Sequence, residues 1–200
     1  MNETIPEGWE EGNFQDYVYF QEGPGLRRFQ YKLEGIPFLN IRCIKKNRTI
    51  DLKKCKFLDT GEVNEKYKHF LLNENDLVVS SSGTLGRMAI IQKQDLPLML
   101  NTSIIRMRPK NNHILRKFLI HFINSNSYQN QVNLWAVGCA QKNYGPMHLR
   151  KLKIILPKDL HEQEKIAEIL SKTDEQIQLT EEIIAKTEDL KKGLMQELLT

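Results

Sequence analysis

The stretch "LPKDLHEQEKIAEIL", Leu156–Leu170, joins two unlike parts of the chain. Before it lie basic, Gly-punctuated, strand-like segments; after it a helical pattern runs on to the last residue. With Ile166 at heptad position d, Thr173, Thr180, Thr187 and Leu194 also fall at d. Leu170, Ile177, Ile184, Lys191 and Leu198 then fall at a, and Ile169, Ile183 and Leu190 add apolar bulk at g. No Pro occurs in this repeat and no Gly before Gly193, so residues 158–200 are predicted to form one long helix. At 1.5 Å per residue, roughly 38 residues span on the order of 57 Å. The radius of gyration expected for the preceding residues is only about 15 Å. Such a helix outruns its own domain, and its far half needs another partner. Three threonines and a lysine on the seam favour a particular register over a simple leucine zipper.

Working back towards the N-terminus, residues 1–157 read as a mixed α+β domain. "FQDYVYF" and "GIPFLNIRCI" are strand candidates, with Pro37 marking a strand start or an edge. "LVVS" and "MAII" are strands flanking a Gly loop, and "SIIRMRP" is a further one. Its alternation of Ile105 and Met107 with Arg106 and Arg108 suggests a half-exposed sheet. The period then changes: Leu115, Phe118, Leu119, Phe122 and Ile123 mark an amphipathic helix, and "SYQNQVNLW" a second. "LKIILP" supplies the last strand.

The net charge of +4 hides an asymmetry. Residues 1–157 hold 23 Lys+Arg against 14 Asp+Glu, whereas residues 158–200 hold 6 against 11. Between Leu77 and Pro157, 11 basic residues face a single acid, Asp95. A nucleic-acid binder gains steering and counterion release from such an excess. No apolar run approaches the roughly 20 residues of a membrane span, and no signal-peptide pattern opens the chain. Cys43, Cys55 and Cys139 are odd in number and lack C-x-x-C spacing, which favours reduced structural thiols in a cytoplasmic protein.

Motifs for catalysis fail one by one. "HEQEK" begins like a zinc-protease helix, but Lys165 stands where the second ligand belongs. His69, His113, His121 and His148 show no ligand spacing. "SSSGTLGR" lacks the Lys-Ser/Thr end of a phosphate-binding loop, and neither G-x-S-x-G nor G-x-G-x-x-G occurs. The chain therefore reads as non-catalytic. What remains is a set of loops that combine glycines, hydroxyls, amides and cations: Arg27 and Arg28; Arg42, Lys45 and Lys46; Ser81, Thr84 and Arg87; Gln141, Lys142, Asn143 and Tyr144. Arg, Gln and Asn read base edges, whereas Lys and hydroxyls mainly hold phosphates, so these twelve are the DNA-contact candidates.

Taken in order, "IPEGW", "GIPFLNIRCI", "ENDLVVSSSGTLGRMAII", "LNTSIIRMRP", "AVGCAQKNYGPMHLRKLKIILP" and "HEQEKIAEIL…TDEQI" resemble the specificity subunits of type I restriction-modification systems. The most diagnostic part is G-x-x-Q at Gly138–Gln141, followed by Leu-x-x-Leu-x-Ile and Pro, then Glu162-Gln163 and Ile166-Ala167. The resemblance implies a mixed α/β target-recognition domain (1–157) on double-stranded DNA and a long helix (158–200) for spacing and methyltransferase docking. It implies no active site and no cofactor in this chain. It places adenosylmethionine, ATP and Mg on partner methyltransferase and restriction subunits that modify adenine and cleave. Specificity subunits usually carry two recognition domains and two antiparallel helices. One domain and one helix here imply a half-subunit, natural or truncated. Its helix would pair antiparallel with that of a second copy through Ile166, Leu170, Thr173, Ile177, Thr180, Ile184, Thr187, Leu194 and Leu198, giving a palindromic, interrupted target. The rival expectations are a coiled-coil adaptor, a stand-alone DNA-binding regulator, and a nuclease or methyltransferase in its own right.

Overall fold

The computed structural model describes residues 5–83, 86–135 and 143–199, with only the backbone of Trp135. The chain opens with β1 (Trp9–Asn13), a helical turn α1 (Phe14–Tyr17) and β2 (Val18–Glu22). Three short strands follow: β3 (Tyr31–Lys32), β4 (Ile36–Phe38) and β5 (Lys56–Leu58). Then come α2 (Thr60–Glu62), β6 (Leu77–Ser80), β7 (Met88–Ile90) and β8 (Ile104–Pro109). The chain continues through α3 (Arg116–Asn124), α4 (Asn126–Trp135), α5 (Pro146–Leu149) and β9 (Lys153–Pro157), and ends in α6 (Leu160–Leu198).

An antiparallel sheet in the order β2-β8-β6-β7 forms the centre. One face packs Leu77, Val79, Ile105 and Met107 against Phe118, Leu119, Phe122 and Ile123 of α3 and Tyr128 and Val132 of α4. The other face packs Val78, Ala89 and Ile104 against Leu39, Ile44, Leu72, Leu98 and Leu100 from the surrounding loops. Both faces of β6 are thus covered, which is why "LVVS" is continuously apolar and not alternating. Among the described residues β1 pairs only with β9, so the N-terminal strand is held by the last strand before the helix. A small sheet, β3-β5-β4, closes over Phe38, Leu58, Val63 and Met99, and β4, which carries Pro37, is one of its edges.

The alternating arginines of β8 do not face solvent as their spacing suggested. Arg106 is buried, and its guanidinium donates to the carbonyls of Leu71 (2.8 Å) and His69 (3.1 Å) and to Gln21. Asp76, 1% exposed, ion-pairs with Arg106 at 3.5 Å and with the half-buried Arg108, and also accepts from the Asn73 amide at 2.8 Å. The single carboxylate offsets one of the two positive charges, the Leu71 and His69 carbonyls and Gln21 take up the remaining donors of Arg106, and the strand can bury Arg106 while Arg108 stays half-exposed.

Two expected strands are also shorter than their β-formers implied. Phe14–Tyr17 is a helical turn, because Phe14 must reach the core between Phe20 and Phe122 while its amide bonds the Leu152 carbonyl at 2.8 Å. In "GIPFLNIRCI" the strand stops at Phe38, and the Asn40 side chain caps a 3-10 turn over Ile41–Cys43 by accepting from the Arg42 amide at 2.9 Å.

α6 is a single helix of 39 residues, capped by the Asp159 side chain on the His161 amide at 2.9 Å. It starts three residues after Pro157, the end of β9. Gln163 and Ala167 are buried against the domain, whereas every residue from Glu175 to Leu199 is exposed.

Candidate nucleic-acid interface

The turn that carries Lys45, Lys46 and Arg48 is built by local hydrogen bonds. Ile44 and Ile50 form an antiparallel bridge, the Lys45 amide donates to the Thr49 carbonyl at 2.9 Å, and the Arg48 amide donates to the Lys45 carbonyl at 3.2 Å. The three cations project from it exposed, next to exposed Arg42. Arg87 abuts this turn, since its guanidinium donates to the Ile44 carbonyl at 3.4 Å. Gly83 and Gly86 adopt φ of +74° and +76°, a region unfavourable for other residues, and a Cβ on Gly86 would lie 2.9 Å from Gln129. Asn143 joins from the other side through its bridge to Ser82. Arg42, Lys45, Lys46, Arg87 and Asn143 therefore share one polar, cationic region.

The other candidates divide differently. Thr84, Gln141 and Lys142 lie outside the described residues, as does the G-x-x-Q signature. Arg27 and Arg28 are exposed on a separate 3-10 turn beside the small sheet. Gln30 holds that turn by accepting from the Arg27 amide (2.8 Å) and donating to Glu62 (2.8 Å). Ser81 and Tyr144, expected at the DNA surface, are instead core residues, 0% and 1% exposed. The Tyr144 hydroxyl accepts from Tyr128 at 3.1 Å and donates to the Ser80 carbonyl at 3.4 Å, and burial pushes its pKa up to about 12. The Tyr144 amide donates to the Ser81 carbonyl at 3.0 Å. Together these bonds bury the chain just past Asn143 and present the asparagine outward. Neither side chain is placed to touch DNA.

The joint between the domain and α6 was not foreseen residue by residue. Gln163, fully buried, accepts from the Leu115 amide at 2.9 Å and donates to the His113 and Pro157 carbonyls, both at 2.8 Å. Glu162 accepts from the Trp9 indole at 3.0 Å, the His121 ring shares a hydrogen bond with Ser171 at 3.0 Å, and Arg48 pairs with Asp174 at 3.0 Å. Burial lowers the His121 pKa below its ordinary value of 6.5. Ile166 packs partly on the domain's own core, so it is at least shared between the domain and any second helix. Beyond the joint, Leu170, Ile177, Ile184, Leu194 and Leu198 stand exposed. Thr173, Thr180 and Thr187 each donate their hydroxyl to the carbonyl four residues earlier, at 3.0, 2.8 and 2.8 Å. With the hydroxyl satisfied on its own helix, a threonine can offer its methyl group to a partner, and the seam is less polar than its sequence.

The family model of the type I restriction modification DNA specificity domain matches residues 6–189. The chain belongs to that family. Among curated relatives, the MjaVIII specificity subunit of Methanocaldococcus jannaschii is 26% identical over 98% of this chain and 46% of its own length. The MjaX specificity subunit of the same organism is 27% identical with the same coverage. This specificity domain thus spans a little under half the length of the curated relatives it matches. Solved structures share its fold. A chain from a structure on complex assembly and conformational transition of the type I R-M system superposes with a TM-score of 0.76 at 18% identity, covering 99% of this chain and 46% of the other. An HsdS subunit from Thermoanaerobacter tengcongensis gives 0.65 at 17% identity, covering 88% and 40%. The S subunit from M. genitalium gives 0.57 at 19%, covering 89% and 41%. Among the described residues of this specificity domain no helix is long and apolar enough to cross a membrane, and no cluster of three or more His, Cys, Asp or Glu could hold a metal ion.

Proposed function

We propose that this chain is the DNA-reading component of a type I restriction-modification system, acting as a half-subunit. Two copies pair through α6, antiparallel, and read a bipartite, palindromic site on double-stranded DNA. Partner methyltransferase and restriction subunits, which carry the adenosylmethionine, ATP and Mg chemistry, then methylate adenine and cleave. The observation that carries this function is the family match across residues 6–189.

The geometry is consistent with DNA reading and with pairing through α6. The region of Arg42, Lys45, Lys46, Arg87 and Asn143 mixes phosphate-holding cations with groups able to read base edges. The exposed part of α6, from Glu175 to Leu198, is about 36 Å long at 1.5 Å per residue, close to the roughly 34 Å of one DNA turn. Two such helices side by side would set two heads about one turn or more apart. Two copies would also match the length of one relative, of which a single chain covers 46%. Mapping methylated adenines in cells that express the chain with its adenine methyltransferase tests the proposal. The expected pattern is an interrupted palindrome; a continuous or asymmetric site would overturn the symmetric pairing, and unmethylated DNA would overturn the function.

A further inference from the structure

The cationic turn is bracketed by a pair of thiols. Cys43 ends the 3-10 turn Ile41–Cys43, Cys55 leads into β5, and between them lie Lys45, Lys46, Arg48, Lys53 and Lys54. Both cysteines are covered, 0% and 5% exposed, and their sulfurs lie 2.8 Å apart, the Cys55 thiol donating to Cys43. Their backbones are pinned as well. The Cys43 amide donates to the Asn40 carbonyl at 2.9 Å, the Cys43 carbonyl accepts from Asp51 at 2.7 Å, and the Cys55 amide donates to the Leu52 carbonyl at 3.0 Å. A covalent bond between sulfurs is about 2.05 Å long, so closing this one asks for a movement of under about 1 Å. Spacing in the sequence gave no hint of the pair, because the contact is made by the fold of the turn and not by a C-x-x-C motif.

We propose that Cys43 and Cys55 form a reversible disulfide site, oxidised by a hydroperoxide, that locks the base of the cationic turn. With hydrogen peroxide, the Cys43 thiolate attacks one oxygen; the O–O bond breaks, and the other oxygen leaves as hydroxide and takes up a proton to give water. Cys43 is then a sulfenic acid. The Cys55 sulfur attacks the Cys43 sulfur, the S–O bond breaks, and the hydroxyl leaves with the Cys55 proton as a second water. Two thiols lose two electrons, and one peroxide gains them. The order of attack follows from the pair itself: the hydrogen bond from Cys55 lowers the Cys43 pKa against the opposing effect of burial, while the same bond and burial raise that of Cys55. A hydroperoxide as small as hydrogen peroxide suits a site this closely covered. The bond would add a covalent closure at the base of the turn to the Ile44–Ile50 bridge and the backbone hydrogen bonds that already hold it, fixing how Lys45, Lys46 and Arg48 are presented. This goes beyond the DNA-reading proposal, and the chemistry of the site stands or falls without it.

The test uses the full chain, treated with hydrogen peroxide, alkylated and digested for mass spectrometry. The expected product is a Cys43 peptide joined to a Cys55 peptide, two hydrogens lighter than the reduced pair, unalkylated, and released by dithiothreitol. Cys55→Ser should leave Cys43 trapped as a sulfenic acid that reacts with dimedone. Hydrogen exchange of the amides of residues 44–50 should slow on oxidation of the wild-type chain. The proposal is overturned if both thiols remain fully alkylatable after peroxide, if either couples to Cys139 instead, or if exchange in the turn is unchanged once the bond has formed.

Discussion

Replacing Ile177 and Ile184 together by Glu should leave the chain folded and abolish its self-association. The two side chains are 54% and 53% exposed, so about half of each remains to be buried by a second helix. Full burial of an isoleucine contributes about 1.5–3 kcal/mol, which leaves roughly 0.8–1.5 kcal/mol per side chain still to be gained. In a twofold pair each substitution occurs twice, so four side chains together carry about 3–6 kcal/mol. That corresponds to about a hundredfold or more in the dissociation constant, before the cost of bringing carboxylates into an apolar seam is counted. Folding should change little, because substitutions at exposed helix positions usually stay within about 0.5 kcal/mol and Glu is a good helix former. Sedimentation velocity at micromolar concentration should show wild-type protein at twice the chain mass and the variant at the chain mass, with superimposable urea denaturation of the domain. Wild-type protein that sediments as a monomer without its methyltransferase, or a variant that still pairs, would refute the reasoning.

Asp76→Ala should destabilise the domain by about 3–5 kcal/mol, because it leaves buried Arg106 without its counter-charge; urea unfolding should show a midpoint lowered by at least about 1 M, and a shift under half that size argues against the network. Lys46→Ala should weaken binding to all duplexes alike and lower the salt slope by about one; an unchanged slope removes Lys46 from the phosphate contacts. His121→Gln should flatten the acid side of the pH–stability curve. Burial depresses the folded-state pKa of His121 below the unfolded 6.5, so the unfolded chain binds the proton more readily and stability is lost as pH falls from about 6.5 towards the lower folded pKa. The wild-type melting temperature should therefore fall more steeply than the variant's from pH 7.5 to 5, and parallel curves would count against a protonation penalty at the joint.

Periodicity exposed the elements that local patterning governs: α6, α3, and the strands β6, β7 and β8 each announced themselves by a clean 3.6- or 2-residue period or a continuous apolar run. It could not expose what long-range packing decides. β3 and β5 are two and three residues long, too short for a pattern of their own, and exist because β5 pairs with β3 on one side and β4 on the other. Arg106 and Arg108 read as solvent-facing because alternation reports only polarity, and Asp76, about thirty positions earlier, is what lets them turn inward. In the candidate interface the exposed cations were legible from composition. Tyr144 and Ser81 were misplaced because a polar loop string looks the same whether its members face water or anchor the loop from beneath. Gln163 was noted only as part of a family signature, since one amide in a charged helix gives no sign that three backbone groups of the domain bond to it.

Those three groups explain why the junction segment reads as it does. Along "HEQEKIAEIL", Glu162, Gln163, Ile166 and Ala167 turn towards the domain, and Ile169 and Leu170 are the first apolar residues to turn away. The switch happens within one helical turn, so the same straight helix is a buried element of the domain at its start and an unpartnered seam thereafter. An α-helix transmits orientation rigidly over a few turns, and the bonds of Gln163 to Leu115, His113 and Pro157 fix its direction relative to β9 and the start of α3. The ion pair between Arg48 and Asp174 adds little energy, being exposed on both sides, but it places the cationic turn alongside the helix. If two heads read one DNA molecule, their separation is then set by the length of the exposed seam and their rotation about the duplex by this joint. Changing the seam by one residue would rotate one head by about 100° as well as moving it by about 1.5 Å. Spacing and phase are coupled, and a functional insertion must come in whole heptads to keep both the seam and the heads in register.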